Sequence, residues 1–192
     1  MKTEVLDRRV RKTRQQLRRC LAILLKEKKI QDITVREITE MADLNRGTFY
    51  LHYKDVFDLL EQVEHDLLME FNSTLQKYQA SDVQQKPSRI FSDVFHCVKE
   101  NADMVQILLG ENGDLNFVNQ VKELVREKCL KDWVELFRQQ KSKQFDAYYS
   151  FIVSGSIGLV TYWLESGMQE TPEELAATAE GIMIDGIKVL FK

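Results

Sequence analysis

Side chains with cationic or hydrogen-bonding groups crowd the stretch NRGTFYLHYKD, residues 45–55. Arg46 can bind a phosphate or the edge of a guanine, and the Thr48 hydroxyl can bind phosphate oxygens or base edges. The polar tips of Tyr50 and His52 can make the same kinds of contact. Taken one at a time, each of these residues could equally be a solvated surface side chain. Their joint spacing favours recognition of a polyanion.

Catalytic motifs are missing from the sequence. It contains no Gly-rich phosphate loop, no HExxH and no nucleophile elbow. His52, His65 and His96 are far apart along the chain. His96 and Cys97 are adjacent, but neighbours on a helix point about 100° apart, which makes a poor chelate. We therefore predict that the protein is not an enzyme and uses no metal or other cofactor.

Charge is divided unevenly along the chain. Residues 1–54 contain 14 Lys and Arg against 7 Asp and Glu, whereas residues 55–192 contain 13 against 23, for a net charge of −3. A basic end on an acidic body suggests that the amino-terminal part meets a polyanion. A basic, solvated helix face is the alternative interpretation, and charge alone does not separate the two.

Composition indicates an ordinary globular protein. The 192 residues are 44% hydrophobic, enough for one or two domains. Three widely spaced cysteines do not make a disulfide framework, and the start lacks a signal peptide, so we expect a cytoplasmic location. The uncharged run 147–164 could span a membrane or be a helix buried in a soluble protein. Its serines and its lack of a Lys/Arg flank favour the second alternative, so we expect no membrane partner.

Helical periodicity runs through almost the whole chain, without a convincing strand. Thr34 and Glu37 form a capping box that should start a helix from Val35 to Met41, with Ile38 and Met41 facing inward. Asn45 can cap a third helix, from Arg46 to about His52.

Longer helices follow the two short ones. Asp55 caps a fourth helix of about six turns, which should bridge to the rest of the chain. Gly167 is expected to end the eighth helix in a left-handed cap, and Thr171 with Glu174 caps the ninth. The predicted fold is all-α with about nine helices. A three-helix domain, 1–54, is expected to be joined by the long helix to a second helical domain, 55–192.

Two short helices joined by a tight turn and braced by a longer one describe a helix-turn-helix, whose second helix enters the major groove of DNA. Gly47 has no side chain, so the sugar-phosphate backbone could approach closely. The predicted DNA-contacting residues are Thr34, Arg36, Asn45, Arg46, Gly47, Thr48, Tyr50, Leu51, His52 and Lys54.

The segment TVREITEMADLNRGTFYLHYKDVFDLL, residues 34–60, resembles the N-terminal domain of TetR-family transcriptional regulators. Three positions depart from that family's pattern. Thr39 replaces an alanine, and its hydroxyl could bond back to its own helix. Asp43 replaces the glycine of the turn and should tolerate left-handed geometry. Val56 replaces a lysine that binds the DNA backbone in many members, a role that Lys54 could partly take over.

A short recognition helix offers few base contacts, so we expect a dimer formed through the C-terminal part. The resemblance further implies an effector pocket there, so residues 1–54 are expected to be a helix-turn-helix DNA-binding domain and residues 55–192 an effector-binding and dimerisation domain. Candidate dimer residues on helices eight and nine are Ile152, Gly155, Ser156, Leu159, Ile182 and Ile187. Candidate pocket residues are the aromatic side chains of Phe91, Phe95, Trp133, Phe137, Tyr149, Tyr162 and Trp163. Packing inside a single subunit is the alternative for both sets, and for any one aromatic residue it is the better supported one.

The function implied by the resemblance is sequence-specific DNA binding by a bacterial transcriptional regulator. The expected form is a homodimeric repressor that an unidentified small-molecule effector releases from a palindromic operator in double-stranded DNA. The alternative is a co-regulator that acts mainly through protein–protein contacts and binds DNA weakly on its own.

Overall fold

The protein is all-α, as its sequence predicts. A computed structural model describes residues 2–79, 81–82, 87–110, 113–137 and 143–187, with side chains given for all of these except 2–7, 87, 129–137, 143–145 and 184–187. No β-strand occurs within those ranges. The described residues form nine α-helices with the bounds α1 Lys2–Leu25, α2 Val35–Met41, α3 Arg46–Tyr50, α4 Val56–Gln76, α5 Pro87–Glu100, α6 Ala102–Leu109, α7 Leu115–Phe137, α8 Lys143–Glu165 and α9 Pro172–Ile187.

The chain divides into two compact units between Leu67 and Leu68. Helix α4 begins in the first unit and ends in the second. The predicted domain boundary after residue 54 lies near the start of this helix and stays a prediction. None of the helices described is both long enough and apolar enough to cross a membrane.

The core of the first unit is built from one stripe of α1 and the inner faces of α2, α3 and α4. Leu17 and Leu21 of α1 are fully buried, and so are Ile38, Phe49 and Leu59. Helix α1 is followed by a single turn of 3-10 helix at Ile30–Asp32, which the hydrophobic pattern does not predict.

The core of the second unit centres on Trp163 of α8. Its ring meets the ring of Phe95 edge-on, with centroids 5.6 Å apart, and its indole N–H donates to the Glu170 carbonyl at 2.9 Å. Leu175 and Ala176 of α9 pack into the same cluster. Gly167, with φ of 80°, ends α8 in the predicted left-handed conformation.

Candidate nucleic-acid interface

A left-handed residue makes the turn between α2 and α3. Asp43 has a φ of 51°, the conformation expected when aspartate takes the place of the usual glycine. The Leu44 N–H donates to the Thr39 carbonyl at 2.9 Å and closes the turn. Ala42, only 1% exposed, provides the small side chain that a close helix crossing requires.

The inner face of α2 consists of Ile38, Thr39 and Ala42. The Thr39 hydroxyl donates to the Val35 carbonyl at 2.8 Å, so this buried oxygen is bonded back to its own helix as expected. The prediction that Met41 faces inward is wrong, because its side chain is 45% exposed. At 100° per residue, Met41 lies roughly 100° from the centre of the face made by the other three.

Helix α3 is short, and local contacts hold it in place. The Asn45 side-chain oxygen accepts the Thr48 N–H at 2.8 Å and the Thr48 hydroxyl at 3.1 Å, which caps the first turn. Phe49 is fully buried and Tyr53 is 2% exposed, with ring centroids 5.7 Å apart. These two rings anchor the inner side of α3, so the residues between them must face outward.

The predicted DNA-contacting residues of α3 and its flanks lie on the surface of the first unit. Tyr50 is 57% exposed and Leu51 is 81% exposed. Thr48 and His52 are half-buried, and the remaining members of this group are exposed: Asn45, Arg46, Gly47 and Lys54. The structure therefore leaves these predicted residues wholly or partly accessible, while their contact with DNA stays a prediction.

Two further predicted residues lie at the start of α2, and both are exposed. Thr34 and Glu37 form the expected capping box: the Glu37 N–H donates to the Thr34 hydroxyl at 3.3 Å, and the Thr34 N–H donates to the Glu37 carboxylate at 2.9 Å. Arg36 donates from Nε to Glu40 Oε1 at 2.6 Å. To bind a phosphate, the Arg36 guanidinium would have to exchange this exposed partner or use its remaining N–H groups.

The surroundings of His52 favour its neutral form. Burial, and then the nearby positive charge of Arg14, lower the pKa of His52 below its ordinary value of 6.5. The Arg14 guanidinium lies 5.8 Å from the centre of the Tyr53 ring. A neutral imidazole has one N–H donor and one acceptor nitrogen, so in this form His52 would offer hydrogen bonds without adding a cation.

Two side chains of α1 make long-range contacts that support the motif, and the sequence pattern does not reveal them. Gln16 donates from Nε2 to the Ala42 carbonyl at 2.5 Å, so a carbonyl at the C-terminal end of α2 has a hydrogen-bond partner. Arg18 forms an ion pair with Asp66 of α4. Each partner lies tens of residues away, so no local spacing signals the contact. Val56 is 4% exposed, and it offers no surface contact in place of the lysine that many family members carry.

The aromatic residues predicted to line an effector pocket have mixed environments. Phe95 and Trp163 are buried in the core of the second unit, and Phe91 packs against them. Tyr162 is 56% exposed, and the Tyr149 hydroxyl donates to the Lys122 carbonyl. The side chains of Trp133 and Phe137 lie outside the described residues. The pocket assignment stays a prediction.

Two open depressions of the second unit are lined mostly by residues with polar or charged side chains. One contains Tyr149 with Lys122, Arg126 and Asp146, and another contains His96, Cys97 and Glu100. Burial raises the pKa of the Cys97 thiol to about 11, which makes it a poor nucleophile. In the part of the chain described here, no group of three or more His, Cys, Asp or Glu side chains could hold a metal ion.

The residues predicted at a dimer interface lie on α8 and α9. Gly155 and Ile182 are exposed, the latter by 52%, whereas Ile152, Ser156 and Leu159 are half-buried. Leu159 packs against the core of its own unit, as in the alternative interpretation. The Ile187 side chain is outside the described residues. An added Cβ at Gly155 or Gly158 would meet nothing within 4 Å.

A 52-residue segment is 44% identical to an uncharacterised HTH-type transcriptional regulator, YxbF, from Bacillus subtilis (strain 168). That segment is 27% of this chain and 14% of the relative, so the chain matches only a small part of that protein's length.

Solved structures with the same fold cover nearly the whole chain. A TetR transcriptional regulator from Streptococcus agalactiae 2603V is 21% identical with a TM-score of 0.62, over 94% of this chain and 98% of that one. The regulator FadR from Bacillus subtilis, solved in complex with stearoyl-CoA, is 16% identical with a TM-score of 0.64, over 90% and 98%. A transcriptional regulator from Aquifex aeolicus VF5 is 16% identical with a TM-score of 0.63, over 93% and 99%.

A family profile decides the classification. The TetR profile described as "Transcriptional regulator C-terminal region" matches residues 85–185, more than half of the chain. The helix-turn-helix geometry of the first unit agrees with it. The chain belongs to the TetR family of transcriptional regulators.

Proposed function

We propose that this TetR-family regulator is a homodimeric repressor that binds a palindromic DNA operator through α3 and leaves it when a small molecule binds. The observation that carries this proposal is the arrangement of α3. Phe49 and Tyr53 anchor its inner side, whereas the side chains of Arg46, Tyr50 and Leu51 are exposed. A capped helix that exposes a guanidinium and a phenol group suits the major groove.

Each predicted contact has a distinct role in this proposal. Arg46 is the candidate for reading a guanine edge, since bidentate contact to guanine is the commonest specific contact of arginine. Tyr50 and Lys54 are candidates for phosphate contacts, which set register and orientation. Gly47 lets the duplex approach the backbone, and a Cβ there would lie 3.2 Å from Asn45 Oδ1 and crowd the cap.

A dimer is needed because α3 has only five residues and can contact few bases. The second unit exposes large apolar side chains on α8 and α9, namely Phe151, Tyr162 and Ile182. The open glycines of α8 would let a partner helix approach closely. These features support pairing of α8 and α9 with the same helices of a second copy, with residues 55–192 acting as the dimerisation and effector domain.

Release by an effector requires that the effector bind the form that does not bind DNA more tightly. Helix α4 belongs to both units, so a change in the second unit has a covalent route to the first. Stearoyl-CoA, which the FadR structure contains, is a suitable first probe. The effector role is supported when the probe weakens operator binding in proportion to its own binding to the protein.

The DNA-binding part of the proposal can be tested on duplexes selected from a random library by the purified protein. We expect a palindromic consensus and an affinity that falls steeply with salt, by a slope of about −0.9 per neutralised phosphate. Arg46→Ala should weaken specific binding by about 1–3 kcal/mol. Lys99→Ala removes one exposed charge from the second unit and serves as the matched control. Unchanged affinity for Arg46→Ala and Tyr50→Ala on every duplex would refute the role of α3.

The dimer can be tested separately by light scattering. Gly155→Trp should yield monomers, because the open space at Gly155 in one protomer would be filled by the partner in a dimer. Gln120→Trp adds the same bulk on the exposed side of α7 and should leave the dimer intact. A Gly155→Trp protein that remains dimeric would exclude this face. Complex formation with another protein, without DNA binding, would favour the co-regulator alternative.

A further inference from the structure

Leu51 is the most exposed large apolar side chain in the described part of the chain, at 81%. It is the C-cap residue of α3, with helical φ and ψ of −71° and −18°. Its N–H donates to the Gly47 carbonyl at 3.2 Å. The backbone therefore fixes the direction of the side chain, although the described part of the chain leaves most of it uncovered.

Exposure of a single leucine is common and needs no explanation by itself. The position of Leu51 is what distinguishes it. Residues three and four apart share one face of a helix, so Leu51 lies beside Thr48 and Gly47. The Thr48 hydroxyl already donates to Asn45 Oδ1 at 3.1 Å, and Gly47 adds no side chain. The middle of this face is therefore small and poor in free donors.

Polar side chains lie on both sides of that face. Tyr50 and His52 are each about 100° away from Leu51 around the helix. A leucine between them would be placed against base edges when α3 enters the major groove. Covering the amino and carbonyl groups of a base edge with a leucine leaves those groups without hydrogen bonds, which is unfavourable. Thymine differs from the other bases because it presents an apolar C5-methyl group in the major groove.

We propose that Leu51 determines specificity by packing against the C5-methyl group of a thymine in each half-site of the operator. This inference rests on the proposed function. The chemical group recognised is the methyl of a 5-methylpyrimidine, so 5-methylcytosine at the same position would offer the same contact.

The test removes only the methyl group. In the duplex selected by the wild-type protein, each thymine is replaced in turn by deoxyuridine, and affinity is measured by fluorescence anisotropy at one salt concentration. We expect one thymine in each half-site at which this change weakens wild-type binding about four-fold, the effect of burying one methyl or methylene group. In the Leu51→Ala protein the same change should have less than about a two-fold effect, because the contact is already lost.

Further variants separate the methyl contact from a general loss of binding. Leu115→Ala removes a leucine that is 79% exposed in the second unit, so it should behave as the wild type. Leu51→Met keeps a long apolar side chain and should retain the sensitivity to deoxyuridine. When the critical T·A pair is replaced by C·G, methylation of that cytosine at C5 should restore about four-fold in affinity for the wild type but not for Leu51→Ala.

The outcomes distinguish this inference from the proposed function. Selected duplexes whose deoxyuridine substitutions affect wild-type and Leu51→Ala proteins equally would overturn the role of Leu51 and leave DNA recognition by α3 intact. Failure to select any duplex would overturn both. Thermal melts of Leu51→Ala should match the wild type, because the side chain removed is almost entirely in solvent.

Discussion

Both units of this regulator start helices with capping hydrogen bonds, but the residues proposed to be functional differ in kind between the units. In the first unit, capping bonds and one left-handed turn hold the predicted recognition residues on an exposed surface. In the second unit, an equivalent capping box at Thr171 starts α9, but the residues proposed to matter are exposed apolar groups and aromatic side chains. A recognition surface can therefore be encoded locally, whereas a dimer face and a ligand site depend on long-range packing and on what binds there.

The largest difference in stability between the two units should come from removing a buried side chain that anchors α3. Phe49→Ala deletes a fully buried ring and should cost the first unit about 3–5 kcal/mol of stability. Both tryptophans of the chain lie after Leu67, so tryptophan fluorescence reports on the second unit. In chemical denaturation, Phe49→Ala should lose part of its helical circular dichroism at a lower denaturant concentration than the wild type. The midpoint measured by fluorescence should be unchanged.

Trp163→Ala provides the reciprocal change in the second unit, where the ring is also fully buried. We expect a loss of similar size, about 3–5 kcal/mol, confined to the second unit. Midpoints that shift together in both variants would mean that the two units unfold as one, and the comparison would fail.

Matched capping boxes allow a finer comparison. Thr34→Ala and Thr171→Ala each remove the hydroxyl that accepts an N–H at the start of a helix, at 3.3 Å and 3.2 Å respectively. Each change should cost about 1 kcal/mol of stability, measured by chemical denaturation. Thr34→Ala should in addition weaken operator binding, because Thr34 is also a predicted DNA contact. Equal effects of the two variants on DNA binding would remove Thr34 from the interface.

The sequence predicts the first unit well because its signals are short-range. The capping box at Thr34, the Asn45 cap and the left-handed turn at Asp43 all involve partners within a few residues. The prediction for Met41 is wrong because it relied on the spacing of apolar residues alone. Packing buries the face of α2 that carries Thr39 and Ala42, and this leaves Met41 exposed.

Residues that support the motif from a distance could not be predicted in this way. Gln16 and Arg18 find their partners only when α1 packs on α2 and α4. In the second unit the same limit is more severe. From the sequence, Phe95 and Trp163 could line a pocket or fill a core. Only the packing shows that their rings bury each other.

A smaller effect on stability is expected from a substitution in the turn between α2 and α3. Asp43 has a φ of 51°, a conformation that costs a non-glycine residue roughly 1–2 kcal/mol. Asp43→Gly relieves this strain but also increases the freedom of the unfolded chain, which offsets about 0.4–1 kcal/mol. We expect a net gain of about 0.5 kcal/mol, measured as a higher denaturation midpoint with unchanged DNA affinity. A loss of stability would show that the aspartate side chain contributes to the turn.

The smallest expected effect is a pH dependence that belongs to the first unit. Hydrogen bonds from Lys28, and then from Thr34, lower the pKa of Glu37 from 4.5 to about 2. A carboxylate with a lowered pKa stabilises the folded state fully above its unfolded-state pKa, and this contribution is lost as the pH falls toward the folded-state value. The melting temperature of the first unit should therefore decrease between about pH 4.5 and pH 2.

Two variants assign this pH dependence to the contact. Glu37→Gln keeps a side chain that can serve in a capping box but does not titrate, so its melting temperature should change less over the same pH range. Lys28→Met removes the largest cause of the lowered pKa, so the loss of stability should shift toward higher pH. Because Glu37 and Lys28 are partly exposed, with 32% and 40% of their side chains accessible, added salt should weaken the effect. Identical pH profiles for the wild type and Glu37→Gln would show that another carboxylate of the chain controls the acid transition.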